Sequence, residues 1–352
     1  MTRKRSRHPA SQHETKGTNV TTTVGPCPAE RTAQLRVGFV GAGKIGFALG
    51  LHLFRSGANI SGYVSRSSAS ARWAAQCTNS VSFSSLQALL DSTDLIFITV
   101  PDGAIAQVAG EVAAASATLS AASLTGKIVC HASGSATSDE LAACRAAGAA
   151  CASVHPLCAV PDVPHIAEGL PTEGKAHLEQ AADHANATPA TTLPDRMAST
   201  FFTLEGDDKA LATAQALLDA ADNSHCVIAA ADKVRYHAAA VFMSNLVCGL
   251  ASEGLGLLER CGFTAEQARQ AMKPLFMGNA AAIAEHGPKD ALSGPIERND
   301  VETVRHHLAA LDGQALQTYA TLSQSVCNLA ASRHPERDYQ PLRNLLESAR
   351  TH

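Results

Sequence analysis

The chain has almost no excess charge: 28 Lys and Arg stand against 32 Asp and Glu, a formal net charge of −4 over 352 residues. No global field draws it to nucleic acid or to an acidic membrane, and neither is expected as a partner. The ten cysteines form no C-x-x-C pair and are scattered through apolar segments such as Lys127–His131 and Val241–Leu250. They read as buried thiols in a reducing compartment rather than as a disulfide framework. No run of about 18 apolar residues is free of charges and turn formers, which argues against a membrane span. A cytoplasmic protein is the expectation. Internal repeats are missing too, which sets repeat architectures aside. His306 and His307 follow Arg305 without correctly spaced partner ligands, so no metal site is assigned.

What is present suits two domains, because 352 residues are long for one compact core and a cleft between two is a favoured ligand site. Residues 1–34 start basic (Arg3, Lys4, Arg5, Arg7), are rich in Ser and Thr, and show no apolar periodicity. They read as a disordered tail, and the same composition leaves organelle targeting open. From Leu35, apolar strand-like runs alternate with amphipathic helical stretches, the pattern of an α/β Rossmann domain with a mainly parallel, doubly wound sheet. The runs are Leu35–Val40, Ile60–Val64, Leu95–Val100, Ile128–His131 and Ala150–Val154, with further strands at Thr200–Leu204 and Cys226–Ile228. Residues of about 160–197 lack periodicity and read as an irregular insertion, so the domain extends over 35–230.

Residues 231–333 read as an all-helical substrate or dimerisation domain. A continuous helix over Val234–Cys261 would span roughly 40 Å at 1.5 Å per residue. Gly262 is placed to end it, Thr264 and Glu266 to start the next, and helices follow over Ala265–Ala284 and within Asp300–Ser332. Residues 334–352 read as a C-terminal tail.

The chemistry concentrates in two places. Gly41-Ala42-Gly43-Lys44-Ile45-Gly46 is a G-x-G-x-x-G at the end of a predicted strand and the start of a predicted helix. Gly41 permits the tight turn, Gly43 the approach of a pyrophosphate, and Gly46 close packing of helix on strand, while the helix N-terminus faces the phosphates. After the second strand, where an NAD-preferring site offers an acid to the ribose, this chain has Ser65, Arg66 and Ser67. A guanidinium flanked by hydroxyls matches a 2'-phosphate, which favours NADP(H) over NAD(H). Val100, Pro101 and Asp102 follow a central strand where they can touch the cofactor, although Asp102 is as well suited to capping the next helix. Ser133, beside His131 in a run of small residues, is a candidate for nicotinamide or substrate contact.

Further polar patches are Ser153–Leu157, Lys233–His237 with Ser244 and Asn245, and Ala291–Asp300. On one helix His237, Val241, Ser244 and Asn245 would share a face. His237 and Asn245 are the expected catalytic core, the histidine supplying a proton and the amide orienting the atom that receives it. Lys233 and Ser133 are the candidate substrate anchors.

From about Leu35 to Tyr319 these motifs together resemble the Rossmann-like oxidoreductases whose C-terminal half is a domain of unknown function, the DUF2520 type. The resemblance rests on Gly41–Gly46, Val100-Pro101-Asp102, His131–Gly134, His155-Pro156-Leu157, Tyr236-His237 with Ser244-Asn245, and Ser293-Gly294-Pro295 through Asp300, Thr303 and His307. It implies an architecture related to ketopantoate, pyrroline-carboxylate and 6-phosphogluconate dehydrogenases, with the active site supplied by the helix from Val234. The chain departs from the pattern in Asn299, where a glycine is expected, and in the long insertion after Leu157. An NADP(H)-dependent reductase or dehydrogenase of a small carbonyl, a 2-oxo or 2-hydroxy acid, or an imine is the first expectation, with a homodimer as an option. A deazaflavin-dependent enzyme and a noncatalytic NADP(H)-binding redox sensor are the rivals.

Overall fold

The structure is a computed structural model that describes residues 34–117, 124–158, 193–195 and 197–350. The expected N-terminal tail, but for Gln34, and the expected insertion, but for Leu193–Asp195 and Met197, lie outside the described residues. The chain divides into two compact units, residues 1–237 and 238–352.

The first unit alternates strand and helix: β1 (Arg36–Val40), α1 (Lys44–Arg55), β2 (Asn59–Val64), α2 (Ser68–Cys77), β3 (Val81–Ser82), α3 (Leu86–Asp91), β4 (Leu95–Ile98), α4 (Ile105–Ser116), β5 (Ile128–His131), α5 (Ala142–Ala146) and β6 (Ala150–Pro156). After the insertion come β7 (Phe202–Gly206), α6 (Asp208–Ala220), β8 (His225–Val227) and the start of α7 (Lys233–Phe242). One eight-stranded sheet has the order β3-β2-β1-β4-β5-β6-β7-β8. Every pairing is parallel except β6 with β7.

The central strands are apolar without a break because helices cover both faces. In β4, Leu95 and Phe97 join the core that packs against α1, α2 and α6, while Ile96 and Ile98 join the one against α3, α4 and α5. Each such fully buried side chain contributes about 1.5–3 kcal/mol. The expected fold class therefore stands, and the order reverses between β1 and β4, which opens a crevice at their carboxyl ends. The insertion leaves and re-enters the sheet at one point: Pro156 is opposite Phe202, and Leu157 N–H donates to Phe201 O at 2.9 Å.

Three expectations need correction. Cys77, Cys130, Cys144, Cys151 and Cys327 are buried, but Cys226, Cys248 and Cys261 are exposed, the first on an edge strand and the others on, and just after, a helix that buries nothing in its own unit. The long helix over Val234–Cys261 is interrupted: α7 ends at Phe242 and α8 covers Asn245–Arg260. The Ser244 hydroxyl donates to Ala240 O at 2.7 Å, and its backbone leaves helical values at φ −131° and ψ −84°. Bonding of a serine to the carbonyl four residues back competes with the helix at that turn. The single face that was to carry both His237 and Asn245 is broken there.

In the second unit, α8 is followed by α9 (Ala265–Ala291), α10 (Val301–Ala310), α11 (Gly313–Arg333) and α12 (Gln340–Arg350). Thr264 caps α9 in a capping box closed by Gln267 rather than by Glu266. Gly287 breaks α9 with φ +79°, because the residue before Pro288 is barred from helical conformation. The third correction is α12, which occupies the stretch read as a tail. Its Leu342 and Leu346, with Tyr339 just before it, are buried against Ile296, Val304, Cys327 and Ala330. Asn299 lies at φ +59°, the left-handed region that glycine favours and asparagine tolerates, and its amide donates to Asp338 O at 2.9 Å.

Candidate functional site

At the crevice between β1 and β4, an open groove of about 950 Å³ is lined by Gly41–Gly43, Ser65–Ser67, Ser70, Ser84, Ser85, Val100 and Pro101, among others. Gly41 lies at φ +110° and donates from its N–H to Val64 O at 2.8 Å, which makes the tight turn. A Cβ at Gly46 would overlap Thr99 and Gly41 O, so helix and strand pack only around glycine. A Cβ at Gly43 would meet nothing within 4 Å; its backbone faces open space. Lys44, Ile45 and Gly46 form the first turn of α1 and do not line the groove.

Across the turn after β2, exposed Arg66 adjoins the N-terminus of α2. The Ser67 hydroxyl caps that helix, accepting from Ser70 N at 3.2 Å and the Ser70 hydroxyl at 3.0 Å. Sequence reasoning passed over Ser70, Ser84 and Ser85, which sit too far along the chain for a turn motif to point to them. The acid of the lining, Glu111, is engaged by the Gln107 amide at 2.9 Å. Guanidinium, hydroxyls and helix N-termini are the donor set that suits a dinucleotide with an extra phosphate.

A second cluster forms at the carboxyl ends of β5 and β6, where α7 begins. His131 Nε2 faces the Thr137 carbonyl at 2.9 Å and must donate to it, so Nδ1 accepts from Ser133 N at 3.1 Å. Both nitrogens are used, and burial holds the ring's pKa below its ordinary value. The Ser133 hydroxyl donates to Asp102 at 2.7 Å and accepts from Ala136 N at 3.1 Å. Asp102 also receives the Ser135 hydroxyl at 3.2 Å, so its side chain fastens this loop and does not cap the following turn.

Lys233 has no exposure, and its Nζ donates to Ser133 O at 2.9 Å and to the Ser153 hydroxyl at 2.6 Å. Burial pulls it down to about 8, against the opposing charges of Glu205 and Asp102. Of the expected substrate anchors, Ser133 thus has its hydroxyl engaged within the loop, and Lys233 has two of its three ammonium donors engaged there.

Over this loop stand two imidazoles. His155 Nδ1 lies 2.7 Å from the Tyr236 hydroxyl, and its Nε2 has no hydrogen-bond partner among the described residues. Burial, helped by the charge of Lys233, pushes His155 down to about 4. The His237 ring is 6.5 Å from that of His155, edge to face. Gly134 lies beneath both: a Cβ there would come within 2.8 Å of His155 Nε2 and of His237 Cδ2. Sequence reasoning noted His155 and Tyr236 in polar patches without placing them in the site. The signal was their position, one at a strand's carboxyl end and one in a helix's first turns. Asn245 opens α8 in the second unit, exposed, with its side-chain amide 3.1 Å from the Ser244 hydroxyl.

Residues 22–156 match the model of a Rossmann-like domain, and residues 200–326 match that of DUF2520, a domain of unknown function. No curated protein matches the chain at a significant level. Among solved structures, protein TM1727 from Thermotoga maritima is similar with TM-score 0.60 at 22% identity, covering 85% of this chain and 99% of that one. A Plasmodium falciparum pyrroline carboxylate reductase with NADP bound is similar with TM-score 0.50 at 12% identity, covering 91% and 98%. These likenesses are of fold.

Proposed function

Because this chain joins a Rossmann-like domain to a DUF2520 domain, we propose that it is an NADP(H)-dependent oxidoreductase acting on a small carbonyl, a 2-oxo or 2-hydroxy acid, or an imine. One observation carries the reading: the glycine-lined groove and the two imidazoles lie at the carboxyl edge of the same sheet, the edge where ligands of such sheets bind. Gly41, Ala42 and Gly43 would cradle the pyrophosphate, Arg66 with Ser65, Ser67 and Ser70 the 2'-phosphate, and Val100 and Pro101 the part beyond it. The bound nicotinamide supplies hydride chemistry. This chain's own residues exclude water, hold the acceptor atom and move a proton, for which His237 is the open group beside the loop. Asp102, Ser133 and Lys233 keep the loop's shape. The fold shared with the pyrroline carboxylate reductase that binds NADP supports this cofactor. A second copy of the chain is the proposed partner.

Calorimetric titration of the full chain tests the cofactor. NADPH should bind about 10- to 100-fold more tightly than NADH, the equivalent of one charge-assisted contact to phosphate, and Arg66→Asp should abolish the difference. Equal affinities in the unaltered protein would defeat the assignment. A screen of NADPH oxidation against 2-oxo acids, aldehydes and cyclic imines identifies the substrate.

A further inference from the structure

We propose that His155, oriented by Tyr236, is a fixed neutral hydrogen-bond donor whose Nε2–H holds the acceptor atom of the substrate over Gly134. The inference deepens the reading above and rests on it. Three observations converge. First, Nδ1 has a partner and Nε2 has none among the described residues. Second, the partner is a phenol, whose O–H is far more acidic than the N–H of a neutral imidazole, while the ring's unprotonated nitrogen is the better acceptor. The Tyr236 hydroxyl therefore donates to Nδ1, and in a neutral ring the remaining proton sits on Nε2.

Third, the open nitrogen meets a backbone with no side chain. A Cβ at Gly134 would stand 2.8 Å from Nε2 and 2.9 Å from Cε1, so only glycine lets the loop lie this close to the unpartnered edge of the ring. The charged and titratable groups that face the ring are Lys233, His237 and Tyr236 on α7, His131 on β5 and Asp102 on the turn after β4. Lys233, His237 and His131 disfavour a charged ring and Asp102 favours one, with burial the largest influence. A ring held neutral cannot readily release a proton, but it can orient and polarise a carbonyl oxygen or an imine nitrogen. In this division of labour, carbonyl reduction takes its proton from His237 and keeps the His155 proton in place. Tyr236 acts through His155 and is a positioning residue.

Long-range proton–nitrogen correlation spectra of the full chain with 15N-labelled histidine test this without cofactor or substrate, His155 being assigned by its loss in His155→Gln. The expected pattern is a protonated Nε2, an unprotonated hydrogen-bonded Nδ1, and no charging above pH 5. In Tyr236→Phe the Nδ1 resonance should shift to that of an unbonded acceptor, which loss of packing alone would not cause. A proton on Nδ1, a ring that charges near pH 6.5, or an Nδ1 resonance unmoved by Tyr236→Phe would overturn the proposal. With the substrate from the oxidation screen, His155→Gln should lower kcat by about 10- to 1,000-fold at unchanged NADPH affinity; an unchanged kcat would overturn it equally. Failure of the cofactor titration with the expected histidine spectrum would instead strike the oxidoreductase reading.

Discussion

His155 and Lys233 each sit where their charged form is resisted, and that resistance is measurable as stability. An ordinary histidine titrates near 6.5, whereas His155 is pushed down to about 4. Between those values the unfolded chain binds a proton that the folded chain refuses. Stability therefore rises with pH across this window and is lost as pH falls through it, by about 3 kcal/mol at 1.36 kcal/mol per unit. Urea unfolding of the unaltered protein and of His155→Gln at pH 6.5, 5 and 4 should show a shallower acid loss in the variant. Parallel losses would mean that the ring is not held neutral by the fold. Sequence alone reached the residues of this cluster but not their roles. A histidine, a lysine and a serine named from polar patches carry no record of which nitrogen is open or which ammonium is enclosed. Those distinctions come from β5, β6 and α7 meeting, contacts between residues as far apart as 80 and 100 positions in the chain.

At the scale of elements, the central strands were legible because burial on both faces writes them as unbroken apolar runs. β3 was not: two residues long, with Val81 exposed, it leaves no pattern. Helix α12 was missed for a different reason. Its apolar residues Leu342, Leu345 and Leu346 stand among charged neighbours after Pro341, yet proline in a first turn costs no hydrogen bond that the helix needs. Its burial follows from partners on other elements, Ile296, Val304, Cys327 and Ala330, while Tyr339 just before it donates to the Glu297 carbonyl at 2.7 Å. Ending the chain after Arg333 should therefore destabilise the second unit by on the order of 5 kcal/mol, the sum expected for Tyr339, Leu342 and Leu346. Thermal denaturation checks it; an unchanged midpoint would restore the reading of a dispensable tail. The break at Met243–Ser244 was equally invisible, since nothing in an apolar helical pattern reports a serine bonded to the turn before it.

For the whole molecule, α8 and α9 leave an account open. Phe242, Met243, Leu246, Leu250, Phe263, Leu275, Phe276 and Met277 are between 40% and 74% exposed, and within α8 and α9 only Ala268 is buried. Taking about 150–250 Å² for a fully open large side chain, they present roughly 800 Å², one partner's share of a standard interface. Gly249, Gly256 and Gly278 have open space where a Cβ would be, so knobs and holes occur on the same elements, as a self-complementary two-fold contact requires. By length and composition the stretch Ala230–Arg260 would also pass for a membrane span. Glu253, Glu259 and the break at Ser244 speak for a protein surface instead. Light scattering should give twice the 36.5 kDa chain mass, Leu250→Glu should halve it, and Val81→Glu on the far edge of the sheet should not. A monomer in both the unaltered and the Leu250→Glu chains, or flotation with lipid vesicles, would replace this partner by another. The neck at Pro156 and Phe202 has a further consequence, for how such a chain can change over generations. Two strands already clasped by their own ladder bear the cost of closing whatever lies between them, and doubling a closed loop adds only about 0.6 kcal/mol. What joins Leu157 to Phe201 is thereby a cartridge: its length and composition can drift while the sheet that carries His155 stays in register.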